Sequence, residues 1–193
     1  MSVNHSLNRK FIQLQIRGLV LVGHRERALE RVDDLLAINA VDPYALATRA
    51  HLLAEFGDKA GSQQALQQLV AAQPTQPAGW FNLGYLSEEM GQLEQAEAAF
   101  QRATELDPTL DRAWYGLALS LIRQRRFEEA ITALRRNTEL QPMSPYGWYQ
   151  LARVHVDRQE PDEAAKIIRH LRKFEPKVAA QLERETGLGQ AQA

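Results

Sequence analysis

The 193-residue chain contains no cysteine, which excludes disulfides, thiolate zinc sites, a cysteine nucleophile and lipoprotein anchoring. Eleven Gly and eight Pro are too few for a low-complexity chain. An excess of one charge is lacking too. The formal net charge is −1, so no large global field draws in nucleic acid or an anionic membrane. The longest early apolar run, Gly18-Leu19-Val20-Leu21-Val22-Gly23, is far too short to span a bilayer. With Arg17 and Arg25 on its flanks and no small-residue cleavage site, it makes a poor signal peptide. What remains is 45% apolar and 24% charged, the make-up of a globular protein. The expectation is a soluble, cytoplasmic protein.

What is present is a repeat. Trp80, Trp114 and Trp148 recur every 34 residues, opening the similar segments Trp80-Phe81-Asn82-Leu83-Gly84, Trp114-Tyr115-Gly116-Leu117-Ala118 and Trp148-Tyr149-Gln150-Leu151-Ala152. At fixed distances after each Trp come an alanine (Ala96, Ala130, Ala164), an apolar residue (Phe100, Leu134, Ile168) and a proline (Pro108, Pro142, Pro176). Weaker copies precede them. One has Leu46 for the Trp, with Ala50, Gly57, Ser62, Leu66 and Pro74. The other has Ile12, followed by Gly23, Ala28 and Val32. The chain divides into a tail 1–8, five units over 9–178, and a capping helix with tail at 179–193. The units are 9–42, which is degenerate, then 43–76, 77–110, 111–144 and 145–178.

Each unit reads as two helices joined by a tight turn. Trp80, Leu83, Leu86, Leu93, Ala96, Ala99 and Phe100 follow helical spacing, and strand-like alternation is absent. Asp42-Pro43, Gln76-Pro77 and Ser144-Pro145 mark helix starts. Gly23, Gly57 and Gly91 mark turns that need a left-handed backbone. Arg125 and Gln159 stand at that place in the last two units, at a cost of ~1 kcal/mol each. Gly84 facing Ala96 lets the paired helices approach closely, and stacked pairs bury what one pair cannot.

This pattern resembles the tetratricopeptide repeat over residues 9–178. The resemblance implies an all-α fold, a right-handed alpha-alpha superhelix of about five helix-turn-helix repeats with a C-terminal capping helix, Lys177–Thr186. Ile16 stands where Gly84 does, so the first unit is expected to be distorted or to act as a cap. The tail from Gly187 is expected to fray.

No catalytic constellation stands out. The five histidines are scattered, with no pair at the spacing of a zinc helix, so neither a metal nor a cofactor is expected. His155 falls at a packing position, where a satisfied structural role outweighs a functional one. Glu88-Glu89 and Glu128-Glu129 are adjacent on helices and point apart. Unit 77–110 holds one Arg and six acids, whereas unit 111–144 holds six Arg and four acids. The Arg123-Gln124-Arg125-Arg126 cluster reads as a solvated turn, with nucleic-acid contact the weaker alternative because no long basic face accompanies it.

In tetratricopeptide arrays the first helices line a concave surface that holds an extended peptide or a partner helix. The corresponding positions here yield a candidate peptide-binding set of Tyr44, His51, Phe81, Asn82, Tyr85, Arg112, Tyr115, Tyr146, Tyr149 and Arg153. Arg17 and Ala47 occupy further exposed places on that side. The aromatics either pack on the next unit or furnish a groove. The groove is the preferred reading, because the tryptophans already fill the core positions. Some family members clamp the C-terminal carboxylates of heat-shock chaperones with a Lys/Asn/Arg set. Asn82 and Arg112 sit near two of those places, but Ala47 and His51 replace the matching Lys and Asn, which argues against that specificity.

The functional expectation is a non-enzymatic protein- or peptide-binding adaptor or scaffold, such as an assembly factor or a secretion chaperone. Its partner would be extended, with an acidic group or a free C-terminus. The alternative is a structural homo-oligomer, a homodimer for instance, assembling through Leu14, Val20 and Leu21 of the degenerate first unit.

Overall fold

Proline at the first position of a helix fixes φ without losing a hydrogen bond, and this sequence uses it repeatedly. The computed structural model describes residues 2–188, with side chains from residue 7 onward. Among the described residues there are eleven helices and no strand. They are α1 (Ser2–Leu21), α2 (Arg25–Ile38), α3 (Pro43–Glu55), α4 (Lys59–Ala72), α5 (Pro77–Glu89) and α6 (Leu93–Leu106). Then follow α7 (Asp111–Arg123), α8 (Phe127–Leu140), α9 (Pro145–Asp157), α10 (Pro161–Leu171) and α11 (Pro176–Thr186). Five of the eleven begin on proline. Asp42 adds a side-chain cap to α3: fully buried, it accepts from the Ala45 N–H at 3.0 Å and from Arg9 Nε at 2.5 Å.

The tight turns follow one design. Gly23, Gly57, Gly91, Arg125 and Gln159 all have positive φ, between 60° and 81°. At each turn that residue donates to a carbonyl three back, and its successor donates to one five back. Arg125 N–H to Ile122 O at 2.9 Å and Arg126 N–H to Leu121 O at 2.9 Å are one such pair. This closes the last helical carbonyls of the first helix before the second begins. The left-handed backbone expected from the sequence is present in all five turns, two of them without glycine.

The chain falls into two compact units, Met1–Leu86 and Ser87–Ala193. In the first, α1 packs on α2, α2 on α3 and α3 on α4. Its N-terminal core joins Ile12 and Ile16 of α1 to Ala28, Val32 and Leu35 of α2 and to Ala45 and Leu52 of α3. In the second, α6 through α10 pack in chain order, and α11 packs on both α9 and α10. One core there centres on Ala118, Leu134, Leu151 and Val154, another on Ile168, Leu171, Ala179 and Leu182.

Two expectations change at the ends. Residues 2–8, read as a tail, continue α1, because no Gly or Pro precedes Gly18 to stop the helix. The first unit is a helix pair in which α1 packs on α2 and Ile16 is fully buried in the same cluster as the small Ala28. The capping helix starts one residue earlier than read, at Pro176, and buries Ala179 and Leu182 while Val178 is half-buried. The tail expected to fray lies outside the described residues from position 189 on.

Each tryptophan anchors the loop before its own helix. The indole Nε1 of Trp80 donates to Pro74 O at 2.9 Å, that of Trp114 to Pro108 O at 3.0 Å, and that of Trp148 to Pro142 O at 2.9 Å. The ring body packs inward while its polar edge is satisfied locally.

Candidate functional site

On α3, Tyr44, Ala47, Thr48 and His51 stand at i, i+3, i+4 and i+7, one stripe of the helix. With Arg17, Val20 and Leu21 of α1 they line a cavity of about 510 Å³, and most of its wall is apolar. The Arg17 guanidinium lies 5.6 Å from the centre of the Tyr44 ring, a cation–π pairing that holds both in place. The Tyr44 hydroxyl donates to Gln13 O at 3.4 Å, and Thr48 Oγ1 donates to Tyr44 O at 2.7 Å. Arg17 has no carboxylate partner among the described residues. The far end is ionic: His51 Nε2 is 3.6 Å from Glu55, which accepts from Arg25 Nε at 2.5 Å. That hydrogen bond holds the Glu55 carboxyl below its usual range. An apolar trough with one uncommitted cation can take an apolar side chain next to an anionic group.

In the second unit, Tyr149 and Arg153 of α9 are joined to Glu185 of α11. Tyr149 Oη donates to Glu185 Oε2 at 2.7 Å, and Arg153 Nη1 lies 3.3 Å from Tyr149 Oη and 3.4 Å from Glu185 Oε2. Arg153 also sits over the Tyr149 ring at 5.9 Å. The Tyr149 hydrogen bond, then that from Gln181, lowers the Glu185 pKa. The expected wall of Tyr149 and Arg153 therefore carries a carboxylate supplied by the chain itself. Glu185 does not stand out in the sequence, because the apolar spacing of α11 marks that helix only as a cap. Carrying the 34-residue period one step further would have placed it near Tyr149, from which it is 36 residues away.

The tetratricopeptide repeat family model matches residues 47–111, 88–138 and 115–179. The chain belongs to the tetratricopeptide repeat family. Solved structures share its fold. A crystal structure of MamA superposes with a TM-score of 0.79 at 17% identity, covering 96% of each chain. MamA residues 41 to the end from Desulfovibrio magneticus RS-1 gives 0.77 at 20% identity, covering 92% of this chain and 96% of that one. YrrB, described as a TPR protein with an unusual peptide-binding site, gives 0.78 at 18% identity, covering 88% of each chain. No curated protein matches the sequence.

The other candidate residues also fall on first helices of the tetratricopeptide units. Phe81 is half-buried and Asn82 and Tyr85 are exposed on α5; Arg112 is exposed at the start of α7; Tyr146 is exposed on α9. Tyr115 is half-buried against the core of Leu134, Leu151 and Val154. It therefore packs on neighbouring helices, one of the two roles open to the aromatics from the sequence. Of the proposed oligomer residues, Leu14 and Leu21 are exposed, but Val20 packs against its own unit's core. Its place on the helix, about 120° from Leu14, turns it inward.

The arginine cluster lies at a surface turn, with Arg123 and Arg125 exposed, and is met there by acids. Arg123 pairs with Glu88 at 2.6 Å, and Arg126 pairs with Glu97 at 2.6 Å and with Glu129 at 2.5 Å. Gln124 donates to Glu97 at 2.8 Å, and Arg125 lies 6.0 Å from the Phe127 ring centre. The acid excess of one repeat and the arginine excess of the next thus meet as ion pairs. His155 is buried, with Nδ1 2.7 Å from Glu160 Oε2, so its polar edge is satisfied within the fold. Among the described residues no helix is long and apolar enough to cross a membrane.

Proposed function

We propose that this chain is a non-enzymatic protein- or peptide-binding scaffold that seats an extended segment of a partner on its first helices. The cavity between α1 and α3 carries this reading. Its apolar wall suits a ligand side chain, and Arg17, fixed by Tyr44, suits a ligand carboxylate, either an acidic side chain or a free C-terminus. A peptide-binding site on YrrB, a protein of the same fold, supports the class of ligand. Work as an assembly factor or secretion chaperone in the cytoplasm is the setting we propose for such a scaffold.

The test is a library of short peptides presented with free or amidated C-termini, titrated against the full chain. Free-carboxylate peptides with an apolar residue beside the carboxylate should bind best. Arg17→Ala or Tyr44→Ala should weaken them roughly thirtyfold, the effect of losing a central anchor worth ~2 kcal/mol, with helicity unchanged. Equal binding by both variants would place the ligand elsewhere.

A further inference from the structure

The first helices inside the array share a seat for the helix before them. One residue ahead of the tryptophan register lie Ala45, Gly79, Ala113 and Gly147, all small and all buried. A Cβ on Gly147 would meet Asn137 and Thr138 of α8, and one on Gly79 would meet Val70 and Leu69 of α4. Six residues after the register stand Leu52, Leu86, Ser120 and Val154, likewise buried. In α1 those two places hold Phe11 and Gly18, and both are exposed. Leu7, Leu14 and Leu21 complete the stripe, so that 7, 11, 14, 18 and 21 alternate steps of four and three, the spacing of a helix-pairing seam. The face that other first helices cover with a neighbouring helix is bare on α1 among the described residues.

We infer that a second copy of this chain covers this face, α1 against α1 in antiparallel order about a two-fold axis near Leu14. The shape of the stripe selects that occupant. Phe11 is a projection where the interior helices have Ala or Gly, so a repeat's second helix could not approach at its usual distance. Gly18 is a notch, with nothing within 4 Å of the place a Cβ would take. The two lie seven residues apart, about 10.5 Å along the helix. A two-fold axis between them sets each ring on the other copy's notch, the reciprocal contact an isologous interface requires. Parallel pairing would instead set ring against ring. The same joint already exists within the chain, where the Phe100 ring occupies the space of a Gly116 Cβ, 2.5 Å from that position.

The exposed apolar area supports this pairing. Leu7, Phe11, Leu14 and Leu21 are 61, 60, 67 and 87% exposed. They offer roughly 500 Å² of apolar surface, the greater part of the ~800 Å² each partner gives to a standard interface. Among residues 7–21 there is no acid to pair with a partner's cations, so apolar contact has to supply the attraction. Arg9 is neutralised by Asp42 and Arg17 lies against the Tyr44 ring, while Lys10 stands exposed at the edge of the stripe.

The experiment is sedimentation of the full chain across a concentration series, beside Leu14→Glu and Leu14→Cys. Leu21 is left native because it also lines the groove. The wild type should sediment as a dimer, and Leu14→Glu should raise the dissociation constant at least thirtyfold with unchanged circular dichroism. Because the chain lacks cysteine, Leu14→Cys introduces a single thiol, and mild oxidation should link it into a covalent dimer. A monomeric wild type at ~100 µM, far above the usual range for stable dimers, would overturn the inference. So would a dimer that survives Leu14→Glu, or binding of α1 to phosphatidylglycerol vesicles by a chain that stays monomeric.

Discussion

Gln159 shows what one residue can cost in a repeat. It holds φ 60° while exposed, and its N–H closes the turn on Val156 O at 2.9 Å. The left-handed region strains any residue with a Cβ by about 1 kcal/mol. The turn geometry leaves it no alternative, since Gly23, Gly57 and Gly91 show the same backbone at the same register. Gln159→Gly should therefore raise stability by up to ~1 kcal/mol, or about 2–4 °C in Tm for a chain of this size. Thermal unfolding followed by circular dichroism checks it. A fall in Tm would mean that the Gln side chain contributes more than the strain removes. This position was legible from the 34-residue register alone, because a turn's backbone is set by local hydrogen bonds whatever residue fills it.

Among the helices, α11 has the clearest pH dependence. Besides Ala179 and Leu182 in the core, it is fastened by Glu185 to Tyr149, with Arg153 alongside. The carboxylate's pKa is lowered in the folded chain. Its contribution is thus complete above the unfolded value of about 4.3 and is lost as pH falls through the lower folded value. Glu185→Gln should lower Tm at neutral pH, and the gap to wild type should narrow as the pH drops below about 4. A gap that stays constant with pH would assign the effect to packing. The sequence signalled α11 as an amphipathic helix but not this contact, because an ion pair between helices depends on their relative rotation, and apolar spacing specifies that only coarsely. For the same reason α1 disclosed its excess of leucines, yet not that Val20 turns inward while Leu14 faces out.

At the scale of the molecule, the repeat period made the helices and turns readable, since the same hydrophobic register recurs and each copy corroborates the others. The candidate site was only partly readable. Tyr44 and His51 follow from counting along α3, but the cavity they share with Arg17 depends on how α1 lies beside α3. The uneven charge of the two central repeats was visible, whereas its use in the Arg123–Glu88 and Arg126–Glu97 pairs required the fold.

The loop anchors made by Trp80, Trp114 and Trp148 equip the chain with intrinsic fluorophores at known positions. Each indole is bonded to a carbonyl six residues earlier, so its emission should shift to the red when that loop is released to water. Variants keeping one tryptophan, with phenylalanine at the other two places, would follow denaturation separately at residues 80, 114 and 148. Stacked repeats interacting only with their neighbours should lose cooperativity in stages, giving separated midpoints. Three superimposed curves would instead mark an all-or-none transition.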